Sequence, residues 1–186
     1  GKNEVAIYGS LMYVEGLIRA LLYGMCDSVQ PAVGYNWGAG EKKRVMAIER
    51  CCFTASALLS LVSAAVIYLF PGNLASIFMQ EASGSFFEGA AAALRLFSFT
   101  YLTRWFSFAT QSFMLAVEKP VPASLISVST ALVFPVLLVI LLWPLGLTGL
   151  WLNFAGTSAL AAVLAAVILW RVPELGKGKE KQEGIS

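Results

Sequence analysis

Apolar residues in this chain run in long blocks, separated by short polar clusters, and they do not alternate with polar positions as a strand would. Five blocks stand out. The first runs from Val5 to Val33 and is interrupted by Glu15, Arg19 and Asp27. The second, Val45 to Phe70, is uncharged from Cys51 onward and stops at Pro71-Gly72-Asn73. The third, Phe86 to Val117, carries Arg95 and Arg104. The fourth, Val121 to Trp143, opens among Pro120 and Pro122 and contains Pro135, where a kink is expected. The fifth, Leu147 to Arg171, ends before Pro173. Each is about twice the length of a barrel strand and reaches the ~20 residues that a helix needs to cross a bilayer. Between the second and third, "NLASIFMQEASGS" reads as a short amphipathic piece lying at the membrane interface.

The composition gives the same picture. Only 13% of the 186 residues are charged, 58% are hydrophobic, and the mean hydropathy is +0.74. A soluble domain has about a quarter of its residues charged. From Pro120 to Trp170 there is no Asp, Glu, Lys or Arg, so this stretch has room for two crossings. The fold expected is an all-α, polytopic membrane bundle of five transmembrane helices. Basic residues orient it. Lys42, Lys43, Arg44 and Arg50 follow the first span, and Arg171, Lys177, Lys179 and Lys181 follow the fifth. The connections after the second and fourth spans hold no lysine or arginine, and Lys119 alone follows the third. The 34–50 loop and the C-terminus are therefore expected in the cytoplasm and residue 1 outside. An external start with no export signal implies a preceding segment, so the chain reads as the C-terminal piece of a larger membrane protein. Residues 173–186 read as a disordered polar tail.

Chemistry narrows further. There is no histidine, which removes imidazole acid–base catalysis and the commonest metal ligand. Cys26, Cys51 and Cys52 lack the spacing of a zinc site or disulfide framework and read as small buried residues. A net charge of +2 gives no argument for nucleic acid. The glycine-rich stretch "QPAVGYNWGAGEKKR" (30–44) invites comparison with a phosphate-binding loop, but Gly40 is followed by Glu41 and no strand precedes it. It reads instead as a helix leaving the membrane. Pro31 and Gly34 weaken the last turns, and a basic cluster follows where headgroups are anionic.

The same stretch resembles the signature that closes the eighth helix of multidrug and toxic compound extrusion (MATE) transporters, a Gln-Pro-x-x-Gly-x-Asn-x-Gly-Ala-Gly pattern followed by an arginine. Gln30, Pro31, Gly34, Asn36, Gly38, Ala39, Gly40 and Arg44 match it. "VAIYG" is similar to the start of that helix, and "ALRLFSFTYL" and "SFMLAVEKP" to the beginning and end of the tenth. The family's usual form of the latter is Phe-Gln-Ala-x-Gly-Lys. "PLGLTGLWLN" is similar to the Gly-x-x-Gly-x-Trp start of the twelfth. The resemblance implies that the five spans are helices eight to twelve of a twelve-helix protein with both termini cytoplasmic, seated in the plasma (inner) membrane. It implies a non-enzymatic exporter of amphipathic, often cationic, organic compounds in exchange for Na⁺ or H⁺, with no other cofactor and no metal site. The partners implied are the lipid bilayer, the absent first lobe and a small organic substrate, and no nucleic acid.

Charges inside a bilayer are costly and mark pathways. Glu15 and Arg19 are spaced i, i+4 and can pair on one helix face, either as a self-neutralising structural pair or as a cation or proton site tuned by Arg19. Arg104 sits at comparable depth and needs a partner, because an unpaired guanidinium there costs from ~3 to over 10 kcal/mol. Glu15 is its best candidate. Some family members carry an acid on the tenth helix, whereas this chain has Arg104-Trp105 and no acid between Glu88 and Glu118. Asp27 reads as an interfacial carboxylate or a ligand. Gln30, Asn36, Gln111 and Asn153 either line a cavity or bond helix to helix. The aromatics of "RLFSFTYLTRWFSF" suit packing, or a cationic solute through cation–π contacts. Two other readings stay open at this stage. A lipid-linked oligosaccharide flippase of the same superfamily would want more basic residues in its cavity than Arg19, Arg95 and Arg104. An accessory membrane subunit would transport nothing.

Overall fold

The computed structural model describes residues 2–78 and 84–171. Among these the chain is helical, with no strand. Five rods appear, and they follow the five apolar blocks. The first is α1 (Lys2–Ser28) continued by α2 (Gln30–Gly38), and the second is α3 (Lys42–Leu69). A short α4 (Pro71–Phe78) falls at the start of the amphipathic piece, whose residues 79–83 lie outside the described ones. The third rod is α5 (Gly84–Ser98) with α6 (Thr100–Ala116). The fourth is α7 (Pro120–Val128), a π-helical turn (Ser129–Val133) and α8 (Phe134–Leu142). The fifth is α9 (Gly146–Arg171), reached through a short 3₁₀ turn, Trp143–Leu145. The tail assigned to residues 173–186 also lies outside the described residues.

By length and composition, Lys42–Leu69 and the 52-residue stretch Pro120–Arg171 are each long and apolar enough to cross a membrane. Only 28% and 11% of their most apolar windows are buried. A core helix of a soluble protein would hide that surface, and these helices turn it outward, as helices facing lipid do. Leu58, Val62, Leu69, Leu137, Ile140, Leu141 and Val163 are among the exposed side chains.

α6 is the central rod and packs against α1, α3, α7 and α9. Its buried residues go almost all the way round, from Tyr101 through Phe108, Ala109, Ser112, Phe113 and Met114. α3 meets it along a narrow face of mostly small residues, Cys52, Ser56, Ser60 and Ala64. Small residues at i, i+4 steps let two backbones approach closely where lipid supplies no hydrophobic drive. The main core cluster gathers Leu11, Leu22, Ile67, Phe97, Tyr101 and Trp151 from the first, second, third and fifth rods.

The breaks in the rods have local causes. Pro31 lacks the N–H that would bond the carbonyl of Asp27, and the first rod breaks at Val29. The expected kink at Pro135 takes the form of the π turn just before it, where the Phe134 N–H reaches back five residues to the Ser129 carbonyl. The wider register relieves the clash of the proline ring with the preceding turn. The break at Phe99 has no proline and no warning in the sequence. Hydroxyls crowd the backbone there: Ser98 Oγ donates to the Arg95 carbonyl at 2.7 Å, Ser158 Oγ to Thr100 O at 2.8 Å and Ser60 Oγ to Tyr101 O at 2.6 Å. Side chains inserted at helix carbonyls bend helices.

Candidate functional site

The resemblance motif at 30–44 is a built corner. Gly40 adopts φ +76°, its N–H bonds the Trp37 carbonyl at 3.0 Å, and the Glu41 N–H bonds the Asn36 carbonyl at 2.9 Å. These two bonds form a Schellman termination, whose left-handed residue glycine supplies without a Cβ clash. Asn36 bonds back to the Ala32 carbonyl at 2.8 Å. Lys42 lies over the Trp37 ring at 5.8 Å. Gly34 lies against the Ala116 carbonyl at the end of α6, Gly38 and Ala39 complete the last turn, and Arg44 is exposed on the first turn of α3.

Gln30 fastens this corner to the bundle. Its Nε2 donates to Asp27 Oδ1 at 2.7 Å and to Ser112 Oγ on α6 at 2.9 Å. Ser112 Oγ in turn donates to the Cys26 carbonyl at 2.9 Å, with Asp27 Oδ1 3.3 Å away. Asp27, exposed at the end of α1, thus closes a polar knot that ties the broken rod to α6. Ser112 carries this knot, although nothing in the sequence distinguishes it from the neighbouring serines. Nearby, Cys26 and Cys52 are buried together with Ala109, and Cys26 Sγ lies 3.3 Å from Ser56 Oγ. Cys51 is exposed, contrary to its reading as a buried small residue, because the one-residue step from Cys52 turns it to the outer face of α3.

Deeper in the bundle, Glu15 of α1 pairs with Arg104 of α6, Oε1 to Nη2, at 2.5 Å. Its other oxygen, Oε2, accepts from Tyr101 Oη at 2.7 Å. The side chains of Glu15 and Arg104 are 8% and 17% exposed, so the ion pair is formed largely away from solvent. Arg104 also stacks over the Phe108 ring at 5.3 Å, and its Nε is buried without a hydrogen-bond partner. Of the two pairings open to Glu15, the structure makes the long-range one. Arg19, one helical turn along α1, is exposed and forms no ion pair with Glu15. Gln111 lies half-buried on α6. Tyr101 completes the carboxylate's shell, a role its place among the aromatics did not reveal.

Arg104 also belongs to the wall of a cavity of about 260 Å³ between α6, the fourth rod and α9. Its polar lining comes from Arg104, Ser107, Thr130, Asn153, Thr157 and Ser158. Most of these hydroxyls and amides are engaged with the protein. Asn153 Nδ2 donates to the Pro135 carbonyl at 3.1 Å, Thr157 Oγ1 to Asn153 Oδ1 at 2.9 Å, and Thr130 Oγ1 to the Ile126 carbonyl at 2.7 Å. Thr130 stands on the π turn, so the widened register forms part of the wall. The aromatics of the third rod pack mainly on one another and their neighbours. Phe53, Trp105 and Phe106 form an edge-to-face cluster, and Phe97 meets both Tyr101 and Phe154 edge-on. Glu49, which the sequence did not single out, is buried on the inner face of α3, and its Oε2 has no hydrogen-bond partner. Its signal was its place in the i, i+3/i+4 series with Val45, Cys52 and Ser56.

Against known proteins, the MatE family model matches residues 1–141. No match was found among curated proteins. Three solved structures are similar. An outward-facing multidrug resistance MATE family transporter of the MOP superfamily superimposes with a TM-score of 0.84 at 20% identity, over 94% of this chain and 40% of that one. An inward-facing MATE family transporter of the same superfamily gives 0.82 at 18% identity, over 91% and 40%. A crystal structure of a MATE protein in complex with MaL6 gives 0.84 at 20% identity, over 94% and 40%. This chain therefore spans about 40% of the length of the structures it matches.

Proposed function

The chain belongs to the MatE family of membrane transporters, and from that premise we propose that it forms one lobe of a secondary antiporter. The antiporter exports amphipathic organic compounds, cationic ones among them, against an inward flow of Na⁺ or H⁺. The lobe acts with a second lobe, sits in the plasma (inner) membrane and keeps its C-terminus in the cytoplasm. One observation carries the reading: an ion pair, Glu15–Arg104, held within a bundle of apolar rods, with its Arg104 side forming part of a polar cavity wall. Charge at that depth is too costly to keep without a use or a partner, and in transporters it marks the solute or ion path. The similar fit to an outward-facing and an inward-facing relative supports a lobe that moves as a unit while the access switches sides. Glu15, Arg104 and Gln111 are the residues assigned to the path. Asp27 and Gln30 hold the corner.

The test is ethidium efflux from cells expressing the gene that encodes this chain. Efflux should depend on the gene and collapse with an uncoupler or on removal of external Na⁺, according to the coupling ion. Membrane insertion with no gene-dependent efflux of ethidium or any other amphiphile would refute the reading.

A further inference from the structure

We infer that the cavity beside Arg104 is a binding station for a small carboxylate-bearing amphiphile, not for an organic cation. The inference deepens the transport reading and rests on it for the idea that this cavity meets substrate. Among the described residues no Asp or Glu lines the cavity, and its charged member is Arg104. Glu15 lies outside the lining and takes Arg104 through Nη2 alone. A guanidinium has five N–H donors in a planar fork that fits a carboxylate, and with Nη2 on Glu15 and Nε buried, the Nη1 end is left over. The nearby amide and hydroxyl groups offer little competition, since Asn153, Thr157 and Thr130 already donate to protein oxygens. A cation entering here would meet the guanidinium and find no carboxylate in the wall, Glu15 being already committed to Arg104. A carboxylate would meet the donor it needs.

Size and the remaining wall narrow the ligand. The cavity, about 260 Å³, lies just below the usual range of small-molecule sites, roughly 300–1,000 Å³. It has room for one small ring or one head group and not for a whole drug. Tyr8 and Phe154, 6.3 Å apart at their ring centroids, add an aromatic flank to the polar wall. An aromatic monocarboxylate fits both halves: the ring against the aromatics, the carboxylate on Arg104.

The experiment uses three probes that share one ring: benzoate, benzylamine and benzyl alcohol. Each is titrated against the full-length protein in lipid nanodiscs, with thermal unfolding followed by tryptophan fluorescence. Benzoate should protect the protein saturably and the other two should not. Arg104→Gln should weaken benzoate about tenfold or more, the loss expected for a charge-assisted hydrogen bond. If that variant fails to fold, the double change Glu15→Gln with Arg104→Gln removes the guanidinium without leaving a lone carboxylate, and should lose benzoate equally. Thr130→Phe fills the cavity without touching the ion pair and should abolish protection. Equal protection by benzylamine, no protection by benzoate, or benzoate protection that survives Thr130→Phe or the double change would each overturn the proposal. Ethidium export without benzoate binding would sink this inference alone. Benzoate binding without any transport would sink the transport reading alone.

Discussion

Replacing Glu15 by Gln removes one charge from a pair that the bundle has largely taken out of solvent. Gln keeps the size and can still accept from Tyr101 Oη, which now stands 2.7 Å from the carboxylate. What it cannot do is neutralise Arg104, whose side chain is only 17% exposed and whose Nε already lacks a partner. Breaking a buried pair from one side costs about 3–5 kcal/mol, chiefly the desolvation of the charge left behind. The lower end is expected here, since the stacking on Phe108 persists and the guanidinium has a polar cavity to turn toward. Arg104→Gln should cost a similar amount, with Tyr101 still holding the orphaned carboxylate. The double variant leaves two amides able to bond each other, and should lose only about 1–2 kcal/mol, against about 6 kcal/mol for two independent losses, a coupling of about 4–5 kcal/mol. The assay is unfolding of the purified protein in mixed SDS–detergent micelles, followed by tryptophan fluorescence, for the parent, both single variants and the double. Losses that add to within about 0.5 kcal/mol would mean the two groups are energetically independent, and the pairing argument would fail.

Two further expectations concern the backbone. A Cβ on Gly149 would collide with the Leu142 carbonyl oxygen, so Gly149→Ala must push α9 away from the end of α8. A loss of about 1–3 kcal/mol is expected in the same unfolding assay, and a change under 0.5 kcal/mol would show that the hairpin gives freely. Glu118 has φ +59° at the end of α6, in a Schellman turn closed by the Lys119 N–H to the Met114 carbonyl at 2.8 Å. That conformation costs a side-chain-bearing residue about 1–2 kcal/mol, so Glu118→Gly, after its greater unfolded-state freedom is subtracted, should stabilise by about 0.5–1 kcal/mol. Destabilisation would mean that the Glu118 side chain contributes more than its backbone costs.

The two helix ends explain why the resemblance motifs could be recognised before anything was known of the packing. Gly40 occupies the left-handed position that ends α2, and Glu118 occupies the equivalent position at the end of α6, where the family pattern carries glycine. A motif of this kind encodes one local dihedral, and local dihedrals are written in adjacent residues. The same holds for the rods. Each is a predominantly apolar run, and lipid accepts such a run only as a helix whose backbone bonds are satisfied within itself. Five crossings, the break near Pro31 and the disturbance at Pro135 were therefore open to reading from neighbours along the chain.

Partner choice was legible only as alternatives: Glu15 was the best candidate for Arg104, but Arg19 competed for it and Tyr101 gave no sign of its part. Glu15 has Arg19 four residues away on its own helix, and the i, i+4 rule makes that pair attractive, but the structure puts Arg19 outside and brings Arg104 and Tyr101 from α6 instead. Helix spacing says which residues share a face; which face meets which depends on how five rods settle around α6. The break at Phe99 shows this too, for the hydroxyls beside it come from α3 and α9 as well as from its own rod. A buried charge takes the partner that packing delivers at the right depth, and that depth is a property of the assembled bundle. The rods and their ends are thus local matters of backbone hydrogen bonding and dihedral preference, whereas the ion pair, the serine knot and the cavity arise only when distant helices meet.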